Sequence, residues 1–313
     1  MNIKVNLFMS LTAILITASS VPGIAAANEA PQRARGPSVP EGTRILRDLA
    51  YVPGGHERQK LDLYLPAQNQ DTGPLPLIVW VHGGAWLAGS KENCPAVRFL
   101  RRGYAAASIN YRLSRHAIFP AQIEDCKAAI RFLRASAEKY NIDPNRIGVW
   151  GASAGGHLVA LLGTAGDVKE VEKGPNLQVS SRVQAVCDFF GPTDLTKMSQ
   201  FSSSMNHDAA DSPESKLIGG PVQENKEACK RANPITYVSK DDPPFLICHG
   251  DKDMLVPHNQ SELLYRALKE AGVNVTFHTV KGGGHGFRDA EADRMVQEFF
   301  DKFLKEPQSK SSK

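Results

Sequence analysis

The apolar positions of this chain fall into short blocks whose spacing alternates between two periods, and that alternation predicts its architecture. Leu61-Asp62-Leu63-Tyr64-Leu65 alternates as a half-buried strand does, and residues 45–52 read as a second strand beyond the Pro53-Gly54-Gly55 turn. Leu77-Ile78-Val79-Trp80-Val81 is continuously apolar, the mark of a strand buried on both faces. From there the pattern changes element by element. A helix is predicted over 96–102 and a strand over 105–110. Pro120 stands where a first-turn proline is tolerated and opens a long helix to about Tyr140, with Ile123, Ile130, Leu133, Ala137 and Tyr140 on one apolar face. The Asp143-Pro144-Asn145 turn leads into a strand over 146–150. Further strands are expected at 183–190, 244–249 and 275–280, and further helices at 154–162, 257–271 and 290–304.

Strands that alternate with helices imply an α/β fold, a mostly parallel central sheet with helices on both faces. Neither a repeat nor an interdomain linker interrupts the pattern, so residues 45–304 count as one domain. Residues 68–73 and 164–181 read as polar loops. The stretch 191–237 is the longest without clear periodicity, and we take it as a small lid insertion between the last strands, over the mouth of any site.

The sharpest local signal is Gly151-Ala152-Ser153-Ala154-Gly155, set between the strand over 146–150 and the helix over 154–162. It matches the G-x-S-x-G nucleophile elbow, in which a tight strand-to-helix turn lifts one serine hydroxyl clear of the sheet edge. Side chains two residues either side of the serine would collide with such a turn, which accounts for Gly151 and Gly155. The serine then sits at a helix N-terminus, where unpaired N–H groups favour developing negative charge. An idle serine in a glycine-rich turn would give the same pentapeptide, so the assignment depends on the rest of the chain.

Composition narrows the options. With 42% hydrophobic and 22% charged residues the balance is that of an ordinary globular protein. The net charge of +4 is scattered, without a run of like charges, so nothing points to nucleic acid. Lys4, an apolar core over 7–16 and Ala25-Ala26-Ala27 read as a signal peptide cut after Ala27. That core is shorter than the roughly 20 residues a bilayer span needs. Without a twin arginine or a lipid-accepting cysteine near the cut, a secreted or periplasmic protein with no stable membrane anchor is expected. Residues 28–44 read as a flexible leader and 305–313 as a disordered tail. Five cysteines are too few and too scattered for a disulfide framework or a zinc site. Export permits some of them to pair, although the odd count leaves at least one unpaired within the chain, and Cys187 and Cys248 sit in apolar runs as core thiols.

Several further motifs stand in order along the chain: His82-Gly83-Gly84-Ala85-Trp86, Asn110-Tyr111-Arg112-Leu113-Ser114, Phe119-Pro120-Ala121-Gln122, Gly191-Pro192-Thr193-Asp194-Leu195, His249-Gly250-Asp251-Lys252-Asp253 and Gly284-His285-Gly286. With the elbow, over roughly residues 61–304, they resemble the α/β-hydrolase superfamily, and within it the secreted esterases grouped with hormone-sensitive lipase and the bacterial feruloyl and acetyl esterases. The resemblance implies the chain order Ser, Asp/Glu, His for the catalytic residues. It makes Ser153 the nucleophile and His285, in a glycine-rich loop beyond the last predicted strand, the base. Asp253, which follows the strand at 244–249, its neighbour Asp251, and Asp188 near the end of the preceding strand can each supply the acid. The resemblance places it at Asp253 and leaves Asp251 to brace the turn.

It also implies an oxyanion hole from the N–H groups of Gly83, Gly84 and Ala154. Losing one such donor typically costs about 3–4 kcal/mol of barrier. His82 is expected to brace that loop and His157 to pack beneath the elbow. The commonest family form has a third glycine where this chain has Ala85-Trp86, a variant also found in arylformamidases. Trp86, Tyr111, Phe190 and Phe287 are candidates for a substrate pocket, though each could equally be core. His249, Asp251 and Asp253 can be drawn as a metal cluster, yet no H-E-x-x-H or cysteine partner supports it, so neither a metal nor another cofactor is implied. The short leader leaves no room for the N-terminal helical cap of full hormone-sensitive lipases, so any lid comes from 191–237. An open site of that kind suits short acyl groups, or acetyl and feruloyl esters of carbohydrate. The same triad could instead cut amides, as in arylformamidases or exopeptidases, and the fold also occurs as a non-catalytic binding module.

Overall fold

In the computed structural model, which describes residues 39–67 and 73–305, eight apolar runs pair edge to edge into one sheet. In chain order the strands are β1 (Arg44–Ala50), β2 (Lys60–Leu65), β3 (Leu75–Val81), β4 (Ala105–Ile109), β5 (Ile142–Ala152), β6 (Ala185–Phe189), β7 (Phe245–Gly250) and β8 (Val275–Val280). Across the sheet the order is β1-β2-β4-β3-β5-β6-β7-β8. The pairs β1/β2 and β2/β4 are antiparallel and every other pair is parallel, so the sheet is mostly parallel, as the alternating pattern predicts.

The helices are α1 (Ala121–Ala135), α2 (Ala137–Tyr140), α3 (Ala154–Thr164), α4 (Pro213–Ile218), α5 (Lys226–Ala232), α6 (Asn259–Glu270) and α7 (Ala290–Phe300). Strand β3 shows why both faces are covered. Its Leu77, Val79 and Val81 share a core with Ile123 of α1, Leu158 of α3 and Leu264 of α6. Its Ile78 and Trp80 share the opposite core with Phe99 and with Val296 and Phe300 of α7. Side chains alternate across a strand, so a run buried on both sides must be apolar at every position.

Several boundaries differ from the periodicity. The helix predicted to run from Pro120 to Tyr140 breaks at Ser136 into α1 and α2, although all five residues of its apolar face are buried. Strand β5 begins at Ile142, ahead of the predicted turn, and the extra residues are absorbed by a register shift between Leu75 and Leu77 on β3. The segment Pro95–Arg102 is a 3-10 helix, and α7 stops at Phe300, followed by a π turn over Asp301–Lys305. Arg44, placed in the leader, already belongs to β1.

The five cysteines are all free and buried. Among the described residues no helix is long and apolar enough to cross a membrane. The signal-peptide assignment at 1–27, most of the leader and residues 306–313 of the tail lie outside the described residues.

Candidate active site

The elbow forms at the end of β5 and the start of α3. Ser153 adopts φ +57° and ψ −124°, a region that non-glycine residues seldom occupy. Its flanking glycines have a steric origin. A Cβ on Gly155 would stand 2.1 Å from the Val81 carbonyl oxygen, and one on Gly151 would stand 2.3 Å from that of Gly155. The turn therefore exists only where these two residues lack side chains.

His285, in the loop after β8, and Asp253, in the loop after β7, meet with His285 Nδ1 2.7 Å from Asp253 Oδ2. Both oxygens of this carboxylate are engaged. Oδ1 accepts the N–H groups of Leu255 at 2.8 Å and Val256 at 3.0 Å. Oδ2 also lies 3.2 Å from Nε2 of His249. Burial works to raise the pKa of Asp253, but the hydrogen bonds from His249, His285 and the Val256 amide outweigh it and hold the carboxyl well below the usual carboxylate range. His249 itself is fully buried and fixed at its other nitrogen, 2.7 Å from Ser261 Oγ. Its place behind the acid was not legible in the sequence. Asp251 turns away to accept the Gly282 N–H at 2.7 Å, the bracing role expected of it. Asp188 accepts the Gly191 N–H at 3.0 Å beneath the elbow helix, and burial raises it to about 7.

Gly83 and Gly84 follow β3, and Ala154 opens α3, where the first turn leaves N–H groups without helical partners. All three line one cavity of about 440 Å³ together with Ser153 and His285. Glycine is required at 84, which has φ +110° and would place a Cβ 2.4 Å from the Ala88 carbonyl oxygen. His82 braces this loop. Its Nδ1 lies 2.7 Å from the Gly83 carbonyl oxygen, its ring stacks on Tyr111, and Arg58 donates to its Nε2 at 3.1 Å. Burial pushes His82 down to about 4, against the pull of the Gly83 carbonyl and with help from Arg58, so the ring is neutral near pH 7. Arg58 also donates to the carbonyls of Gly89 and Tyr111, clamping the loop from the β1–β2 connection. His157 is fully buried below the elbow, with Nε2 2.7 Å from the Ala232 carbonyl oxygen.

Of the four aromatic pocket candidates, Trp86 lines the cavity and the other three are displaced from it. Tyr111 is fully buried and donates its hydroxyl to the His82 carbonyl oxygen at 3.0 Å. Phe190 stands behind His285, with ring centroids 4.6 Å apart, and Phe287 packs on Phe189 and Phe190. All three support the loops that carry the site, because apolar rings beside a polar constellation are drawn into the nearest core. The stretch 191–237 does form one side of the cavity. It folds into short helical turns including α4 and α5, and it contributes Pro192, Met205, His207, Pro213 and Glu214 to the wall. Leu255 and Val256 complete that side. No spacing in the sequence singled out His207 or Glu214.

A helix-flanked, mostly parallel sheet, with an elbow serine and a histidine–aspartate pair at the carboxyl ends of its strands, defines an α/β-hydrolase. The chain belongs to the BD-FAE family, whose model matches residues 61–268. It is 33% identical over 266 residues to Esterase LipQ of Mycobacterium tuberculosis, a match that covers 82% of this chain and 61% of that protein. The chain thus spans less than two thirds of the length of this curated relative. Among solved structures, a truncated form of a carbohydrate esterase from gut microbiota aligns with TM-score 0.80 and 38% identity, covering 87% of this chain and 100% of that one. An acetyl ester-xyloside bifunctional hydrolase from Caldicellulosiruptor lactoaceticus aligns with TM-score 0.62 and 30% identity, covering 79% and 86% of the two chains.

Proposed function

We propose that this protein is an exported serine esterase that removes short acyl groups, acetyl above all, from carbohydrate. The observation that carries the reading is the convergence of Ser153, His285 and the Gly83, Gly84 and Ala154 backbone on one cavity, with Asp253 held on the far nitrogen of His285. In this reading Ser153 Oγ attacks the ester carbonyl as its proton passes to Nε2 of His285. The three amides receive the oxyanion, and Asp253 fixes the tautomer and stabilises the imidazolium. Collapse of the tetrahedral adduct expels the alcohol, which takes the proton from His285 and leaves an acyl-Ser153. A water then repeats the sequence and releases the acid. The carbohydrate substrate draws support from the two solved relatives described as carbohydrate and acetyl ester-xyloside hydrolases.

Initial rates on p-nitrophenyl acetate, butyrate and octanoate and on methyl ferulate, beside Ser153→Ala, test the reaction. Acetate or ferulate turnover that the substitution removes by a factor of roughly 10⁴ or more supports it. A marked preference for octanoate would exclude the short-acyl assignment, and equal inertness of both proteins would exclude ester hydrolysis. Export is tested by N-terminal sequencing of the mature protein, expected to begin at Asn28; an intact Met1 would refute it.

A further inference from the structure

The part of the cavity wall formed by 191–237 carries a second histidine–carboxylate pair. His207 and Glu214 are both buried and both line the cavity, with Nδ1 of His207 3.0 Å from Oε1 of Glu214. Nε2 of His207 lies 2.9 Å from Ser203 Oγ. Both ring nitrogens of His207 thus lie within hydrogen-bond distance of a partner. Ser203, Glu214 and His207 share the connectivity of a catalytic triad, but Ser203 Oγ also accepts the Met205 N–H and lies 3.0 Å from the Met254 carbonyl oxygen. That serine is a tie between two loops. Glu214 is not satisfied: its Oε2 is buried with no hydrogen-bond partner. An acceptor left that way is costly, and more so when it is charged.

The remaining wall on this side is apolar, and it continues outward. Among the described residues seven large apolar side chains are exposed, and two of them, Met205 and Leu255, stand on this wall, with Phe201 and Met254 beside a neighbouring hollow. The hydroxyls of Ser203 and Ser204, both within hydrogen-bond distance of the Met254 carbonyl oxygen, draw the two segments together. Met205 and Leu255 reach into the cavity itself. A buried acceptor beside an apolar rim matches a molecule with hydroxyls on its edge and C–H groups on its face. A pyranose ring has that character, whereas an alkyl chain offers no donor.

We propose that Glu214, braced by His207, is the hydroxyl-binding residue of a sugar subsite, accepting a hydrogen bond from a free hydroxyl of the substrate's alcohol while the rim covers the ring's apolar face. This rests on the esterase reading above and specifies which alcohols that site selects.

The test compares an acetylated methyl xyloside with its deoxy counterparts, each lacking one free hydroxyl, using p-nitrophenyl acetate as an ester whose alcohol carries no such donor. With the unaltered protein, removal of one particular hydroxyl is expected to lower kcat/KM about tenfold or more, the effect of losing a hydrogen bond to a charged group. Glu214→Gln keeps the shape and a partner for His207. It should lower kcat/KM for the parent sugar ester at least about tenfold more than for p-nitrophenyl acetate, and it should erase the penalty for the missing hydroxyl. Equal rates for parent and deoxy esters with the unaltered protein would overturn the subsite whether or not the variant folds. So would a variant that keeps the full discrimination. Inertness towards every ester, p-nitrophenyl acetate included, would remove the esterase reading and the subsite with it.

Discussion

The two sides of the cavity are built on different principles. The floor, made by the sheet's carboxyl edge, has no slack. Ser153 is held at positive φ, and Gly155 lies so close to Val81 that a methyl group has no room. The Asp253 carboxylate is engaged at both oxygens. The roof, made by 191–237, consists of short helical turns with Met205 exposed and Glu214 left one partner short. A histidine meets a carboxylate on both sides, at 2.7 Å below and 3.0 Å above. What separates the pairs is saturation. An acid engaged at both oxygens holds its histidine in place. An acid with a free oxygen has capacity for something brought in from outside.

This contrast predicts unequal responses to equal chemistry. Asp253→Asn, which exchanges an acceptor for a donor facing His285 and favours the wrong tautomer, should lower kcat by roughly 10⁴ on every ester. The matching change Glu214→Gln is expected to act about tenfold and selectively. Steady-state rates on p-nitrophenyl acetate decide between them, and comparable losses for both variants would erase the distinction between floor and roof.

Tightness of the floor can be tested next. Gly155→Ala forces a Cβ against the Val81 carbonyl oxygen and should cost about 3 kcal/mol. For a domain of this size that is roughly 10 °C in Tm by thermal denaturation. A shift within about 2 °C would mean that the elbow can relax.

The smallest effect concerns Asp188, a buried carboxyl that touches neither histidine pair. Its folded form keeps the proton up to about pH 7, whereas an unfolded aspartate releases it near 3.8. Between these values the folded state binds more protons, so the protein loses stability as pH rises through the window. Asparagine does not titrate. The Tm of Asp188→Asn relative to the unaltered protein should therefore climb from about pH 4 to pH 7 and then level off. A difference that stays constant across that range would show that Asp188 is ionised throughout.

Much of the floor is legible in the amino-acid sequence. The elbow, the glycine loop after β3 and the histidine loop after β8 are local arrangements, in which a few adjacent residues must carry a particular backbone, and such constraints leave their mark in consecutive letters. Asp253 is preferred over Asp251 and Asp188 by resemblance to a family, and the hydrogen bond to His285 then separates them in space. Arg58 escapes notice because it acts on loops far along the chain, and nothing near it in sequence records the partner. His249 stands only four residues before Asp253, yet consecutive letters do not say that its ring turns back onto that carboxylate. The three displaced aromatics illustrate the same limit. Tyr111, Phe190 and Phe287 stand beside the motifs of the candidate site, yet only the packing of neighbouring loops decides which ring faces a cavity and which supports it.

The α/β alternation, the elbow serine and the loops that carry its partners are written in the chain, because strand periodicity and tight turns are consequences of short-range sterics. The tertiary structure alone decided the roof. Residues 191–237 have no period to read, and their shape follows from docking onto the finished sheet edge, which brought His207 to Glu214 and left one oxygen of that carboxylate without a partner.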